Sequence, residues 1–292
     1  MFAGFHRNKL FADYNRIRLA KNKMSFCYAP FNTLEFHISG QVRVCCGNRY
    51  KIVGNYPNQT IQEIFNGQNI QNFRKRLKKY DLSEGCQMCY KMLVNKNYTN
   101  LFALDYELFQ TSKKAVLKNI KFELSNECNL ECEMCWGELS SLIRKNIEKL
   151  PEIQLPYGDD FVEQLKPFWR DIEKATFWGG EPFLIKLYYK IWDEIIQNNP
   201  EINILVVSNG TVLNDKIKDL LAKGKFYFAL SIDSFQKETY EKIRRNAVFE
   251  KTMSNFEYFY QYSKENNRWI TVNICPMQQN WKEIPDMVNV LN

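Results

Sequence analysis

Histidine is almost missing from this chain. His6 and His37 are the only two among 292 residues, and neither sits in a ligand-spaced set. Both read as structural or surface residues, so a histidine-based catalytic triad is excluded. A Walker-type phosphate loop is also missing, so acid–base work falls to carboxylates, Lys, Tyr or Cys. No stretch is long and apolar enough to span a bilayer. The opening MFAGFHRNKLFADYNRIRLAKNK scatters basic residues and has neither an unbroken apolar run nor a small-residue cleavage site, unlike a secretory signal. Internal repeats and low-complexity segments are missing as well. The expectation is a cytoplasmic protein with no membrane partner.

What is present is a globular composition, 45% hydrophobic and 25% charged, long enough for one or two domains. The formal charge is +7. Much of the basic excess lies in FRKRLKKY (Phe73 to Tyr80) and around Ser112 to Lys114, and it reads as a solvated helix face rather than a nucleic-acid patch. The 16 Tyr and 21 Phe are interleaved with apolar residues and read mostly as core. Nine cysteines stand out. In a reducing compartment, clustered cysteines bind metal or do redox chemistry rather than form disulfides.

Residues 118 to 292 alternate strand and helix, which implies an α/β fold with a parallel sheet. Five strands are expected: NIKFELS, ATFWGG, INILVVSNG, FYFALSIDS and WITVNICP. Helices are expected over ELSSLIRKNIEKL, FVEQLKPFWRDIEK, LYYKIWDEIIQNN, DKIKDLLAKG, QKETYEKIRR, SNFEYFYQYSKEN and KEIPDMVNVL. The first part has a different texture, with five cysteines and short strand-like runs. The boundary is expected between Leu101 and Lys118, giving an α+β region over 1–115 and a core over 116–292.

Directly after the first core strand comes CNLECEMC, with Cys128, Cys132 and Cys135 at spacings of four and three. The carboxyl ends of strands are where catalytic residues collect in barrel-like α/β folds. Three close thiolates can hold three irons of a cubane and leave the fourth open. The competing reading is a zinc loop that borrows a distant fourth ligand. Upstream, Cys27, Cys45 or Cys46, and the pair Cys86 and Cys89 of CQMC supply four thiolates for a closed site, suited to zinc or to a fully ligated 4Fe–4S cluster. Cys275, alone on a strand, reads as a buried small apolar residue.

The cysteine loop resembles the signature of the radical SAM superfamily, C-x3-C-x-Φ-C, with Met134 as Φ. The resemblance implies a partial (β/α) barrel of that type. It also implies a 4Fe–4S cluster whose open iron chelates the amino and carboxylate groups of S-adenosylmethionine. One electron then yields methionine and a 5′-deoxyadenosyl radical, which abstracts hydrogen from a substrate. By the same resemblance Gly179, Gly180, Glu181 and Pro182 of WGGEPF grip the methionine end, with Glu181 accepting from its ammonium. Ser208 and Asn209 of SNG, Ser231 and Asp233 of SIDS, and Arg244 meet the ribose and carboxylate. A reducing protein such as flavodoxin or ferredoxin is the implied partner. The substrate class is a peptide or a small polar, sugar-like molecule; the alternatives are a radical SAM enzyme acting on RNA and a non-enzymatic zinc-binding nucleic-acid or protein interaction module.

The N-terminal region resembles the SPASM or twitch region of such enzymes: Cys27 before an extended strand, GQVRVC from Gly40 to Cys45, GN at Gly54 and Asn55, then CxxC. This implies an auxiliary 4Fe–4S cluster on Cys27, Cys45, Cys86 and Cys89, with Cys45 preferred over Cys46. Two departures stand out: the region precedes the barrel instead of following it, and its five cysteines support one auxiliary cluster rather than two. With both clusters bound, the net charge falls to roughly +4. The family barrel has six strands and five are found here. Either the sequence is a fragment, or the last strand is dispensable or supplied by something else.

Overall fold

The computed structural model describes residues 2–20, 23–109 and 114–291, with side chains from residue 10 onward. The side chain of His6 lies outside the described residues. His37 serves a local turn, its Nδ1 3.1 Å from Ser39 Oγ. The chain divides into two compact units. One holds residues 1–121 with Arg170–Glu173, and the other holds Phe122–Trp169 with Lys174 onward.

The first unit opens with helix α1 (Phe2–Ile17) and a short α2 (Ala29–Asn32), started by Pro30. Three short strands follow: β1 (Thr33–Phe36), β2 (Gln41–Arg43) and β3 (Gly54–Asn55). They pair antiparallel, Glu35 opposite Arg43 and Gln41 opposite Asn55. The β1–β2 turn closes through His37 N–H to the Gln41 carbonyl, with Gly40 at φ 84°, a conformation glycine takes without strain. That hairpin delivers Cys45 two residues past the end of β2. Helix α3 (Ile61–Asn66) starts in a capping box between Thr60 and Glu63. Helix α4 (Gln68–Lys78) buries Ile70, Phe73, Arg74 and Leu77 at helical spacing and turns Lys75 and Lys78 to solvent. The basic stretch is therefore mostly a solvated face, with Arg74 as the buried exception. Helices α5 (Gln87–Val94) and α6 (Phe102–Asp105) complete the unit.

From Asn119 on, across the boundary at Lys121 and through the second unit, strand and helix alternate. In order come β4 (Asn119–Glu123), α7 (Ser141–Asn146), α8 (Asp159–Leu165), β5 (Lys174–Trp178), α9 (Lys186–Asn198), β6 (Asn203–Ser208), α10 (Asp215–Lys223) and β7 (Lys225–Ser231). Then follow α11 (Lys237–Ile243), α12 (Phe249–Glu265), β8 (Ile270–Asn273) and α13 (Ile284–Leu291). The strand order is β4-β5-β6-β7-β8, and β5 to β8 pair in parallel. The five expected core strands are all present. Pairing of Ser208 with Leu230 and of Ser231 with Asn273 brings these carboxyl ends level along one edge.

Three elements differ from the sequence expectation. The helix expected over ELSSLIRKNIEKL shrinks to α7, because Ser140 caps it by accepting from Ile143 N–H at 3.3 Å. Trp136 to Ser140 form a turn instead. The next helix gives way to a single 3-10 turn after Leu165, since Pro167 has no N–H to donate. Strand β8 stops at Asn273, which leaves Cys275 outside the strand and exposed. Its reading as a buried apolar residue is thereby corrected. β8 ends the strand order, and none of its residues is fully buried.

The core of this unit centres on Trp192 of α9, which is fully buried. Its ring lies 5.4 Å from Phe177, 5.6 Å from Phe183, 5.1 Å from Tyr189 and 5.9 Å from Phe226, mostly edge to face. Trp192→Ala should lower unfolding stability by about 4 kcal/mol through lost contacts and a cavity. Equilibrium denaturation measures it, and a loss below about 1 kcal/mol would show that α9 is not the anchor of the sheet.

Candidate functional site

At the carboxyl edge of the parallel strands lies an open pocket of about 300 Å³. Cys128, Cys132, Met134 and Cys135 line it on one side, joined by Trp136 and Leu139. Trp178, Gly179 and Gly180 enter from the end of β5, Ser208 and Asn209 from β6, Ser231 from β7, and Arg244 from the end of α11. Of the residues singled out in the sequence, Glu181, Pro182 and Asp233 are not on the lining; all three are buried behind it. Trp136, Leu139 and Trp178 were not singled out. Their only signal in the sequence is adjacency to the two motifs.

The cysteine loop is held by backbone contacts. Glu131 and Glu133 donate N–H to the carbonyls of Arg245 and Ile243 at 3.1 and 2.8 Å. Gln279 donates to both oxygens of Glu133 at 2.9 Å. The GGEP turn presses on the same loop. Gly179 and Gly180 have φ of 86° and 52°, and a Cβ on Gly180 would sit 2.1 Å from the Glu127 carbonyl oxygen. Any other residue at Gly180 forces the two segments apart.

Glu181 ties the strand ends together. Its Oε1 accepts from Phe183 N–H at 3.1 Å and from the Ser208 hydroxyl at 2.9 Å, and its Oε2 accepts from Asn209 N–H at 2.7 Å. Its own N–H donates to the Glu127 carbonyl at 2.7 Å. Burial pushes its pKa up to about 7, against the pull of these donors and of Arg244. In this arrangement the carboxylate is occupied by protein donors.

Charge around the thiols is arranged by two further groups. Arg244 pairs with the buried Asp233 at 2.8 Å and brings Nη1 to 3.8 Å from Cys132 Sγ. Asp233 also accepts from Cys275 N–H at 2.7 Å. Asn209 Nδ2 lies 3.9 Å from Cys128 Sγ and donates to Asn129 at 3.1 Å. Burial raises all three thiols, Cys128 to about 12. Ligation by iron would remove these protons, so cluster assembly would be favoured as pH rises. The donor set fits a cubane: three thiols, N–H donors toward two of the sulfurs, and open space beside them.

A second, much tighter pocket lies within the first unit. Cys27, Cys45, Cys86 and Cys89 all line it, together with Gly47, Asn48, Gly85 and apolar residues. Cys86 caps α5 and Cys89 lies one turn inside it, which is how CxxC aims two thiols at one space. Cys46 is exposed and off the lining. Ala29 N–H points at Cys27 Sγ at 3.4 Å and Asn48 Nδ2 at Cys86 Sγ at 3.7 Å. Asn48 was not singled out; its place depends on the turn at Gly85, whose φ is 80°. Burial raises all four thiols, Cys86 to about 12 and Cys89 to about 11. In Cys45 the hydrogen bond to Cys46 adds most. All nine cysteines are free. Among the described residues no three His, Cys, Asp or Glu side chains converge on one metal-ion position; the cysteines stand around the pocket walls.

Comparison with known proteins gives these pockets a family. The sequence model described as the radical SAM superfamily matches residues 122–291, more than half of the chain. The chain belongs to the radical SAM superfamily. Residues 27–90 match a second model, SPASM, described as an iron-sulfur cluster-binding domain. The cofactors of a radical SAM chain with a SPASM domain are S-adenosylmethionine and iron–sulfur clusters. Among curated proteins, the S-adenosylmethionine-dependent nucleotide dehydratase of Lacinutrix mariniflava is 30% identical over 49% of this chain and 29% of its own length. The GTP 3′,8-cyclase of Aquifex aeolicus is 28% identical over 45% of this chain and 40% of its own. That of Clostridium perfringens is 27% identical over 59% and 50%. The chain thus spans half or less of these relatives. Among solved structures, native anSMEcpe with bound AdoMet superposes at TM-score 0.40, with 22% identity over 54% of this chain and 42% of that one. Streptococcus suis SuiB bound to S-adenosylmethionine gives 0.43, with 16% identity over 78% and 49%. Among the described residues no helix is long and apolar enough to cross a membrane.

Glu181→Ala leaves three buried donors without their acceptor and should cost about 3 kcal/mol of stability, at roughly 1 kcal/mol or more per donor. Glu181→Gln keeps part of the bonding and should cost less. Equal stability of Glu181→Ala and the parent in chemical denaturation would show that the strand ends do not depend on this carboxylate.

Proposed function

We propose that this radical SAM chain cleaves S-adenosylmethionine reductively and uses the resulting radical to abstract hydrogen from a peptide or a small polar, sugar-like molecule. The observation that carries the reading is the shared pocket. Three cysteines, two left-handed glycines, Ser208, Asn209, Ser231 and Arg244 line one cavity at the strand ends. Cys128, Cys132 and Cys135 would hold three irons of a 4Fe–4S cluster and leave one open to the cofactor. Bound there, the cluster supplies the single electron for cleavage to methionine and a 5′-deoxyadenosyl radical.

The residues divide by position. Gly179 and Gly180 offer backbone without side chains in the way, and Met134 gives an apolar wall. Ser208, Asn209 and Ser231 present polar groups at the ends of two adjacent strands. Arg244 carries the positive charge on the lining, suited to a carboxylate. Glu181, Pro182 and Asp233 act from behind: Glu181 fixes the two turns, and Asp233 aims Arg244. This departs from a direct contact between Glu181 and the cofactor ammonium, because its oxygens already accept three protein hydrogen bonds.

Cys27, Cys45, Cys86 and Cys89 hold an auxiliary 4Fe–4S cluster. Four thiolates would close every iron, so the group they hold would supply electron exchange rather than a direct substrate site. Flavodoxin or ferredoxin is the fitting reductant, and the cytoplasm is the fitting compartment for nine free thiols.

Anaerobic reconstitution separates the two sites. Alanine at Cys128, Cys132 or Cys135 should abolish formation of methionine and 5′-deoxyadenosine, measured by chromatography, and leave about half of the iron. Cys86→Ala/Cys89→Ala should lose the other half and still cleave the cofactor. Undiminished cleavage with any of the three core cysteines replaced would overturn the assignment.

A further inference from the structure

Outside both matched segments, in residues 1–26 and 91–121, the first unit buries a charged knot beside the auxiliary pocket. Arg18 and Glu107 form an ion pair whose side chains are both 0% exposed. Arg18 Nε donates to Glu107 Oε1, and Ala20 N–H donates to Glu107 Oε2 at 3.0 Å. Arg18 Nη1 reaches Asn15 at 3.1 Å and Tyr80 at 3.2 Å. Its Nη2 is buried with no hydrogen-bond partner among the described residues.

The knot grips Cys27 from both neighbours. The Arg18 guanidinium lies 5.6 Å from the ring of Tyr28, the residue after Cys27. It lies 4.9 Å from the ring of Tyr14, whose hydroxyl donates to the carbonyl of Phe26, the residue before Cys27, at 2.9 Å. Tyr14 and Phe26 are fully buried, and Phe26 and Cys27 line the pocket. Burial works against the Arg18 charge, and the paired Glu107 carboxylate opposes that, so the guanidinium stays protonated.

We propose that Arg18 is a fixed buried cation that raises the reduction potential of the auxiliary cluster, positioned by Glu107 and Tyr14. The proposal rests on the assignment of that cluster to Cys27, Cys45, Cys86 and Cys89. A cubane with four thiolates has a net charge of about −2 when oxidised and about −3 after taking up one electron. A nearby cation in a low-dielectric site stabilises the second state more than the first, so reduction becomes easier. Glu107 opposes this: it holds the guanidinium in place and offsets part of its field. Substitutions at the two residues therefore shift the potential in opposite directions, which a purely structural ion pair does not do.

The experiment uses full-length protein with Cys128, Cys132 and Cys135 replaced by alanine, reconstituted without oxygen, so that only the auxiliary cluster is read. Its midpoint potential is measured by redox titration followed by electron paramagnetic resonance. R18Q should shift the potential down, R18K should hold it near the parent value, and E107Q should shift it up. R18Q/E107Q, which removes both charges and keeps a neutral hydrogen-bonding pair, should fall between the single variants. If the single variants lose the cluster while R18Q/E107Q binds it at the parent potential, the pair is a folding staple and the proposal is overturned. Shifts of one sign, or no shift, in R18Q and E107Q overturn it as well. A parent protein that binds no cluster overturns the auxiliary-cluster reading itself, and this inference with it.

Discussion

The carboxylate of Glu181 holds the ends of β5 and β6 together, and the walls of the core pocket follow from it. Its oxygens accept from both neighbouring turns, and its N–H reaches the loop that carries Cys128. A buried acid would not persist in an apolar core without such donors. Here they are supplied by Phe183, two residues on, and by Ser208 and Asn209, which line the pocket. With that knot tied, Asn209 is left with its side-chain nitrogen near Cys128 and Asn129. The glycines of the turn are then a packing requirement as well as an opening: a side chain at Gly180 meets the Glu127 carbonyl before it meets any ligand.

The features legible in the sequence are those that are local along the chain. The spacing of Cys128, Cys132 and Cys135 and the alternation from β4 to β8 are short-range patterns, and the parallel sheet follows from them. The same holds for Cys86 and Cys89, because CxxC across a helix start aims both thiols to one side. What is not legible depends on distant pairing. That Glu181 is walled in, rather than open to the pocket, is decided by the fit of β5 against β6. That Cys275 is exposed is decided by where β8 stops. That Ser140 starts a short helix is decided by one capping bond, which a hydrophobic pattern over 138–150 does not reveal.

The two cysteine sites solve one electrostatic problem differently. Thiolates are costly to bury, and every thiol lining the two pockets is raised by burial. In the core unit the compensating charge is Arg244, which is on the pocket lining and shared with Asp233. In the first unit the buried cation is Arg18, paired with Glu107 and set against the rings of Tyr14 and Tyr28 on either side of Cys27. A cation on the lining can meet an anionic group of a bound molecule; one behind it acts only through its field. The contrast agrees with an open core site and an auxiliary site closed by four thiolates.

The central claim is that the three-cysteine site leaves an iron for S-adenosylmethionine to bind. Electron paramagnetic resonance of the reduced protein tests it most directly, in a Cys86→Ala/Cys89→Ala background where only the core cluster contributes. Addition of S-adenosylmethionine should change the g-values and line shape of the reduced cluster, because a ligand joins its open iron. Identical spectra with and without S-adenosylmethionine, at concentrations that saturate binding, would contradict the account.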